Sequence, residues 1–269
     1  MRNWGSGLRW SIVAAVCVAA VVIVWFIAPI PQSQAYHHFA DHRTIAGIPH
    51  GFDVLSNLAF LLSGAVGLIF VLRAGLVLDG GTRWAFATLF FGLILTSFGS
   101  GYYHLAPNNQ SLVFDRLPMI VAMSGCVGAV IADRFGGRGV WAVFALLALG
   151  FWTVFQWNAS EQAGHGDLRW YALYQGLVIL VGALLLLLFS SRNGATKVFV
   201  IAVAGNVMAK FFELLDKPIF ALGGIISGHT LKHLSAGLAF LPLAFFIHRI
   251  EQRHMSADRP SLSIAGSAR

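Results

Sequence analysis

Long apolar segments separated by short polar connections dominate this sequence. Eight can be marked, each close to the roughly 20 residues that a helix needs to cross the hydrocarbon core of a bilayer. Inside a bilayer every backbone N–H and C=O group must be paired within the protein, and a helix achieves this on its own. We therefore predict an all-α, polytopic membrane helix bundle, with helices near residues 11–30, 52–72, 84–105, 112–132, 139–157, 171–190, 197–215 and 230–248.

The composition supports the same class. Hydrophobic residues make up 57% of the 269-residue chain and charged residues 11%, whereas a soluble domain carries about 25% charged residues. The net charge of +7 does not indicate a nucleic-acid partner, because the basic residues are scattered over short loops. Cys17 and Cys126 lie within apolar segments and provide no disulfide framework.

The sequence divides into three regions. Residues 1–35 are predicted to form an N-terminal transmembrane helix or signal anchor. A cleaved signal peptide is the alternative, because Arg2 and Arg9 precede the apolar run and residues 33–35 are similar to a small-x-small cleavage site. Residues 36–250 contain the other seven segments. The polar residues 251–269 are predicted to be a disordered cytoplasmic tail.

The positions of lysine and arginine predict the orientation in the cell (inner) membrane. With the N-terminus in the cytoplasm, six of the 18 basic residues lie toward the outer face and the remaining twelve toward the cytoplasm, so both termini are predicted to be cytoplasmic. The same orientation brings polar residues of four helices to one level near the outer, periplasmic face. They are His104, Asp115, Glu213, Asp216, His229 and His233.

Three histidines are the candidate metal ligands. His229 and His233 are four residues apart, which places both imidazoles on one helical face with Cβ atoms about 5–6 Å apart. His104, at the outer end of an earlier helix, is the candidate third ligand. Three neutral imidazoles suit Zn²⁺ and leave a fourth position for water, whose pKa zinc lowers to about 7. The alternative is a set of interfacial histidines without a metal.

Asp115 and Ser100 are the candidate catalytic residues. A carboxylate beside the metal can accept a proton from water and deliver it to a leaving amine. A hydroxyl can stabilise a developing oxyanion, and Ser100 lies one helical turn before His104. The alternatives are structural. Asp115 could cap its helix or pair with Arg116, and Ser100 could bond to its own backbone.

Together these residues resemble the alkaline ceramidase family. The similar features are Ser100-x3-His104, Asp115 eleven residues later, and His229-x3-His233 on the last helix. Residues 52–57 are similar to the opening of the family's first core helix, where a Ser-Asn pair recurs. The wider superfamily of seven-helix membrane proteins includes the progestin/adipoQ receptors. For residues 50–250 the resemblance implies a seven-helix fold, a zinc ion and hydrolysis of a sphingolipid amide bond, in a bacterial member with one additional N-terminal helix.

The region before the first core helix departs from the family. Eukaryotic members carry an acidic calcium site there, whereas this chain has His37, His38, His42 and His50. Calcium prefers oxygen ligands, so we do not expect calcium binding. A solvated loop or a lid over the site is expected, and a second transition-metal site is the alternative. Asp216 would correspond to an acidic residue before the family's last helix.

Lys210 and Glu213 are expected to pair with each other within the membrane, and a role in a headgroup pocket is the alternative.

The leading functional prediction is zinc-dependent hydrolysis of the amide bond of ceramide or a related N-acyl membrane lipid, with release of a fatty acid. The alternative is a non-catalytic, zinc-containing seven-helix lipid receptor or sensor. The presence of Asp115 and Ser100 favours the enzyme, because a structural zinc needs neither residue. A transporter is disfavoured, since the charged residues cluster at one face instead of crossing the bilayer.

Overall fold

The chain folds as a bundle of helices, as its sequence predicts. The computed structural model describes residues 5–74 and 77–257 and contains no strand within those ranges. Its helices are α1 (Ser6–Phe26), α2 (Gly51–Ser56), α3 (Leu58–Arg73), α4 (Gly80–Leu105), α5 (Asn109–Phe135), α6 (Gly139–Gln162), α7 (Arg169–Leu188), α8 (Thr196–Leu214), α9 (Asp216–Ala221), α10 (Gly228–Leu238) and α11 (Leu241–Ala257). A short 3₁₀ helix, Gln34–His37, precedes α2.

Seven helical segments are long and apolar enough to cross a membrane, so the protein is a multi-pass membrane protein. Two of them are interrupted helices, α2 with α3 and α10 with α11. Large apolar side chains such as Trp25, Phe98 and Trp141 are exposed along the bundle, as expected for a surface that faces lipid.

The eighth predicted segment is also a helix, but it carries three charged residues within its 19 residues. α8 has 19 residues and includes Lys197, Lys210 and Glu213, and it is not among the seven segments above. Its length corresponds to about 28 Å, close to the roughly 30 Å of a hydrocarbon core. The three charged residues lie near its two ends, so its apolar middle matches the membrane interior.

α4 and α5 form the centre of the bundle. α3 packs against α4, and α6 and α7 pack against α5. α10 and α11 pack against α3 and α8, and α8 also contacts α7. α1 packs against α7 at the periphery, and the backbone N–H of Leu168 donates to the carbonyl of Ile30 at 2.8 Å just beyond its end. The architecture is therefore a seven-helix core with one additional N-terminal helix.

Two glycines allow α4 and α5 to touch along their backbones. A Cβ atom at Gly92 would overlap the backbone of Ala122, and one at Gly125 would overlap the backbone of Leu89. Small residues permit such close approach between membrane helices. Since α4 ends with His104 and α5 carries Asp115, this contact fixes the positions of both residues.

We expect Gly92→Ala to lower the stability of the protein by about 1–3 kcal/mol, because the added methyl group must push two backbones apart. Gly101→Ala is the matched control on the same helix, since a Cβ there meets nothing within 4 Å. Thermal unfolding in detergent would measure both. Equal melting temperatures for the two variants would show that the α4–α5 contact is not tight.

Proline shapes two helices near the site. Pro118 lies inside α5 and cannot donate to the carbonyl of Phe114, and Gly99 of α4 approaches that carbonyl so closely that a Cβ would overlap it. Pro242 lies in the first turn of α11, where proline is tolerated, and its missing N–H cannot continue the hydrogen bonding of α10 across the break.

The last helix is longer than the sequence predicts. α11 continues to Ala257, beyond the boundary at residue 250 that we assigned to the start of the disordered tail. Contacts between neighbouring turns support this extension, since Nε2 of His248 lies 2.8 Å from Nε2 of Gln252 and the Ser256 hydroxyl donates to the carbonyl of Gln252 at 2.8 Å. The rest of the predicted tail, residues 258–269, lies outside the described residues.

Candidate metal centre

Three buried histidines converge at one end of the bundle. His104 lies in the last turn of α4, and His229 and His233 lie in the first turns of α10. Their ligand nitrogens all lie within 4.8 Å of one another, and the three side chains could hold a metal ion. Nε2 of His104 lies 3.2 Å from Nε2 of His229, whereas two nitrogens on a tetrahedral zinc lie about 3.3–3.4 Å apart. We call these residues the histidine cluster.

Hydrogen bonding leaves one nitrogen of His233 free to bind a metal. Its Nδ1 lies 3.1 Å from the carbonyl oxygen of Asp53 and 2.9 Å from the hydroxyl of Ser56. A carbonyl can only accept, so Nδ1 carries the hydrogen and Nε2 keeps its lone pair. This Nε2 atom is buried and has no hydrogen-bond partner. A buried lone pair aimed into a group of imidazoles fits a metal ligand.

A break between α2 and α3 leaves the backbone carbonyl of Asp53 free to accept a hydrogen bond from His233. The backbone N–H of Asn57 donates to Val54 at 3.2 Å instead of to Asp53, and the carbonyl of Asp53 is therefore free to accept other bonds. It accepts from the Ser56 hydroxyl at 3.0 Å and from the Asn57 amide at 2.8 Å in addition to His233. The Ser-Asn pair thus helps to position a candidate ligand.

Asp216 fixes the start of α10. One of its carboxylate oxygens accepts from the backbone N–H of His229 at 2.8 Å, and the other accepts from the backbone N–H of Ala40 at 2.9 Å. A carboxylate at a helix N-terminus is favoured by the helix dipole. Asp216 therefore connects the helix of two candidate ligands to the segment that precedes α2.

Ser100 of α4 and Asp115 of α5 lie near each other where these helices pack together. Both side chains are buried. Ser100 is one turn before His104 on the same face. The structure thus places both candidate catalytic residues next to the helix of the first histidine.

The structure does not support the two structural alternatives for Asp115. The N-cap of α5 is Asn108, which forms a capping box with Ser111, whereas Asp115 lies almost two turns inside the helix. Arg116 forms no ion pair with Asp115. Its guanidinium instead lies 3.8 Å from the ring centroid of Trp157 and donates to the side chain of Gln32 at 2.6 Å.

Lys210 and Glu213 pair with each other, as predicted. Nζ of Lys232 lies 3.5 Å from the same carboxylate, and the Tyr36 hydroxyl donates to it at 3.3 Å. Glu213 is therefore surrounded by donors and is less available than Asp115 as a proton carrier.

The segment from residue 34 to residue 50 covers the histidine cluster, and we call it the lid. Phe39 is its buried centre, with ring centroids 4.6 Å from His104 and 4.4 Å from His229. Sequence reasoning did not identify Phe39, because one aromatic residue in a polar loop gives no periodic signal. Its position excludes water from one side of the cluster.

Hydrogen bonds hold the lid on the bundle. The hydroxyl of Tyr103 lies 2.8 Å from Nδ1 of His37, and Oδ1 of Asn109 lies 2.8 Å from Nε2 of the same ring. An amide oxygen accepts, so Nε2 of His37 donates and Nδ1 accepts from the tyrosine. Burial lowers the pKa of His37, which favours this neutral form.

A salt bridge within the lid is sensitive to acid. Arg43 contacts the buried carboxylate of Asp41 at 2.6 Å, and this hydrogen-bonded pair holds the pKa of Asp41 below its usual value. The contribution of the pair to stability is present at neutral pH and is lost as the pH falls through that lowered pKa.

The histidines of the lid do not supply a second metal group within the described ranges. The rings of His42 and His50 have centroids 5.4 Å apart, but Nδ1 of His50 is engaged with the carbonyl of Asp41 at 3.1 Å.

The site thus combines three convergent imidazoles, a buried carboxylate–hydroxyl pair and a covering loop. Comparison of the chain with models of protein families and with curated proteins found no match.

Proposed function

We propose that this protein is a zinc-dependent membrane hydrolase that cleaves the amide bond of ceramide or a related N-acyl lipid and releases a fatty acid. The observation that carries the proposal is the histidine cluster, in which a buried Nε2 atom lacks any partner, with the Asp115–Ser100 pair beside the same helix. The resemblance of these spacings to the alkaline ceramidase family supports the choice of reaction.

The histidine cluster would hold Zn²⁺, because neutral imidazoles are preferred zinc ligands and three of them leave a position open. Bound zinc polarises an amide carbonyl and makes water a stronger nucleophile at neutral pH. Asp115 accepts the proton from the attacking water at its carboxylate and delivers it to the leaving amine nitrogen. The Ser100 hydroxyl donates to the oxygen on which negative charge develops.

An apolar groove beside the candidate catalytic residues suits the acyl chain. The groove has a volume of about 350 Å³ and is open at the side of the bundle. Its walls come from the turns of α4 and α5 that carry Ser100 and Asp115, and its lining residues are Leu95, Phe98, Gly99, Tyr102, Phe114, Leu117 and Pro118. A hydrocarbon chain could therefore lie against the lipid-facing side of these two helices, opposite the buried Ser100 and Asp115.

Fatty-acid release from a fluorescent ceramide by the purified, zinc-loaded protein in lipid nanodiscs tests the proposal. We expect turnover by the natural sequence and by His165→Ala, which changes an exposed histidine remote from the cluster in sequence. We expect none from His229→Ala. Zinc binding without release from ceramide or from a panel of N-acyl lipids would contradict hydrolysis and favour the receptor or sensor.

The candidate site is proposed to face the periplasm, with both termini in the cytoplasm of a cell whose inner membrane holds the protein. The supporting observations are the distribution of basic residues and the length of α8, which is needed as an eighth crossing. We expect alkaline phosphatase fused after residue 269 to be inactive and green fluorescent protein fused there to be fluorescent. The opposite pattern would invert the proposed orientation and place the candidate site on the cytoplasmic face.

A further inference from the structure

Asp53 is a fully buried carboxylate that faces the helix of two candidate ligands. It lies in the first turn of α2 with 0% of its surface exposed. One carboxylate oxygen accepts from the hydroxyls of Thr230 at 2.7 Å and Ser227 at 3.1 Å, both at the start of α10. The other oxygen, Oδ2, is buried without a partner. Asp53 forms no ion pair with any described basic side chain.

The backbone of the same residue contacts the histidine cluster. The carbonyl oxygen of Asp53 lies 3.1 Å from Nδ1 of His233. The carboxylate of Asp53 is therefore connected to the imidazole of His233 through the backbone of Asp53 and one hydrogen bond. Asp53 thus contacts α10 both at its first turn and at a ligand.

A buried charge without a counter-charge is unfavourable. Moving a carboxylate out of water costs several kcal/mol even after relaxation, so a buried carboxyl group is either paired, bound near a metal, or protonated. Two neutral hydroxyl donors satisfy one oxygen of Asp53 but supply no positive charge, and three neutral imidazoles supply none either. A divalent cation in the histidine cluster would supply it.

We propose that Asp53 is a positioning residue of the metal centre, whose buried negative charge balances the bound dication and raises the affinity of the cluster for it. The proposal rests on the histidine cluster being a metal site, and it does not require that the protein be a hydrolase.

The test is the affinity for Zn²⁺, measured on purified protein by competition with a chromophoric chelator. Asp53→Asn keeps the shape and an acceptor oxygen for both hydroxyls but removes the charge. We expect Zn²⁺ binding about 10- to 100-fold weaker, because the variant lacks the nearby negative charge; changes to groups just outside the ligands of a metal have effects of this size. The visible spectrum of bound Co²⁺ should stay tetrahedral, because all three ligands remain.

Two controls separate charge from structure. Asp133→Asn changes another buried aspartate, one that pairs with Arg134 in the last turns of α5, and should leave the Zn²⁺ affinity unchanged. Ser227→Ala removes the longer hydrogen bond to Asp53 and the side-chain cap of α10 but keeps the charge of Asp53, and should bind Zn²⁺ within about threefold of the natural sequence.

The possible results test the role of Asp53 independently of the proposed amide hydrolysis. An Asp53→Asn protein that binds Zn²⁺ as tightly as the natural sequence would overturn it, with the metal site and the hydrolase left intact. If Asp53→Asn does not fold, Ser227→Ala is the deciding variant. A tenfold loss of Zn²⁺ affinity in that variant would show that the affinity depends on the position of α10 and not on the charge of Asp53. A natural protein that binds no Zn²⁺ would overturn both this proposal and the metal centre.

Discussion

Replacing His229 with alanine should remove the metal from this protein. The three ligand nitrogens lie within 4.8 Å of one another, and His229 Nε2 lies 3.2 Å from His104 Nε2. Among the described residues, no other His, Cys, Asp or Glu side chain belongs to this group. Two remaining histidines would hold zinc far more weakly than three. Elemental analysis of the purified protein should give near one equivalent of zinc for the natural sequence and less than about 0.1 for the variant.

His165→Ala is the matched control, because it removes an exposed imidazole from the loop between α6 and α7. It should keep its full equivalent of zinc. Thermal unfolding of each variant would confirm that loss of metal is not loss of fold. If zinc stayed at one equivalent in alanine variants of all three clustered histidines, the histidine cluster could not be the metal site.

Replacing Asp115 with asparagine should leave zinc in place and abolish most turnover. Asparagine has the size of aspartate but cannot accept a proton at neutral pH. A general acid–base group contributes about 10²–10⁴-fold to the rate, and we expect a loss of that order in kcat. Ser100→Ala should cost less, about 10²–10³-fold, as the loss of one oxyanion donor. Fatty-acid release at matched zinc content would measure both.

The surroundings of Asp115 indicate that Asp115→Asn should affect turnover and not stability. Asn108 already caps α5 and Arg116 is engaged with Trp157 and Gln32, so Asp115→Asn should change stability little. Thr153→Ala, which removes a buried hydroxyl that bonds only to its own helix at Gly150, is the control for Ser100→Ala. Full activity of Asp115→Asn would exclude Asp115 from proton transfer. Glu213 would then be the next candidate, although it is paired with Lys210 and Lys232.

The helices were predictable from sequence because membrane crossing imposes a length and a composition that few other structures share. The i, i+4 spacing placed His229 and His233 on one face, and the distribution of basic residues brought His104 and Asp115 to the same level. These inferences use only short-range periodicity and charge.

Contacts between distant segments could not be predicted in the same way. Asp53 and Thr230 are separated by 177 residues, and their hydrogen bond depends on how two helices pack. The break at Asn57 also has no periodic signal, since it arises from side chains that compete for one carbonyl. The length of α11 was underestimated because polar side chains that bond along a helix are not distinguishable from a tail by hydropathy.

The separation of the ligands along the chain has a consequence for biosynthesis. His104 precedes His229 by 125 residues, and the ribosome adds about 5–20 residues per second, so the first ligand waits roughly 6–25 s for its partners. The last membrane crossing to be made, α10 with α11, therefore supplies two of the three candidate ligands. A nascent chain interrupted before α10 has every earlier helix but lacks two of the three clustered histidines, so the candidate metal centre can form only when the last membrane crossing is made.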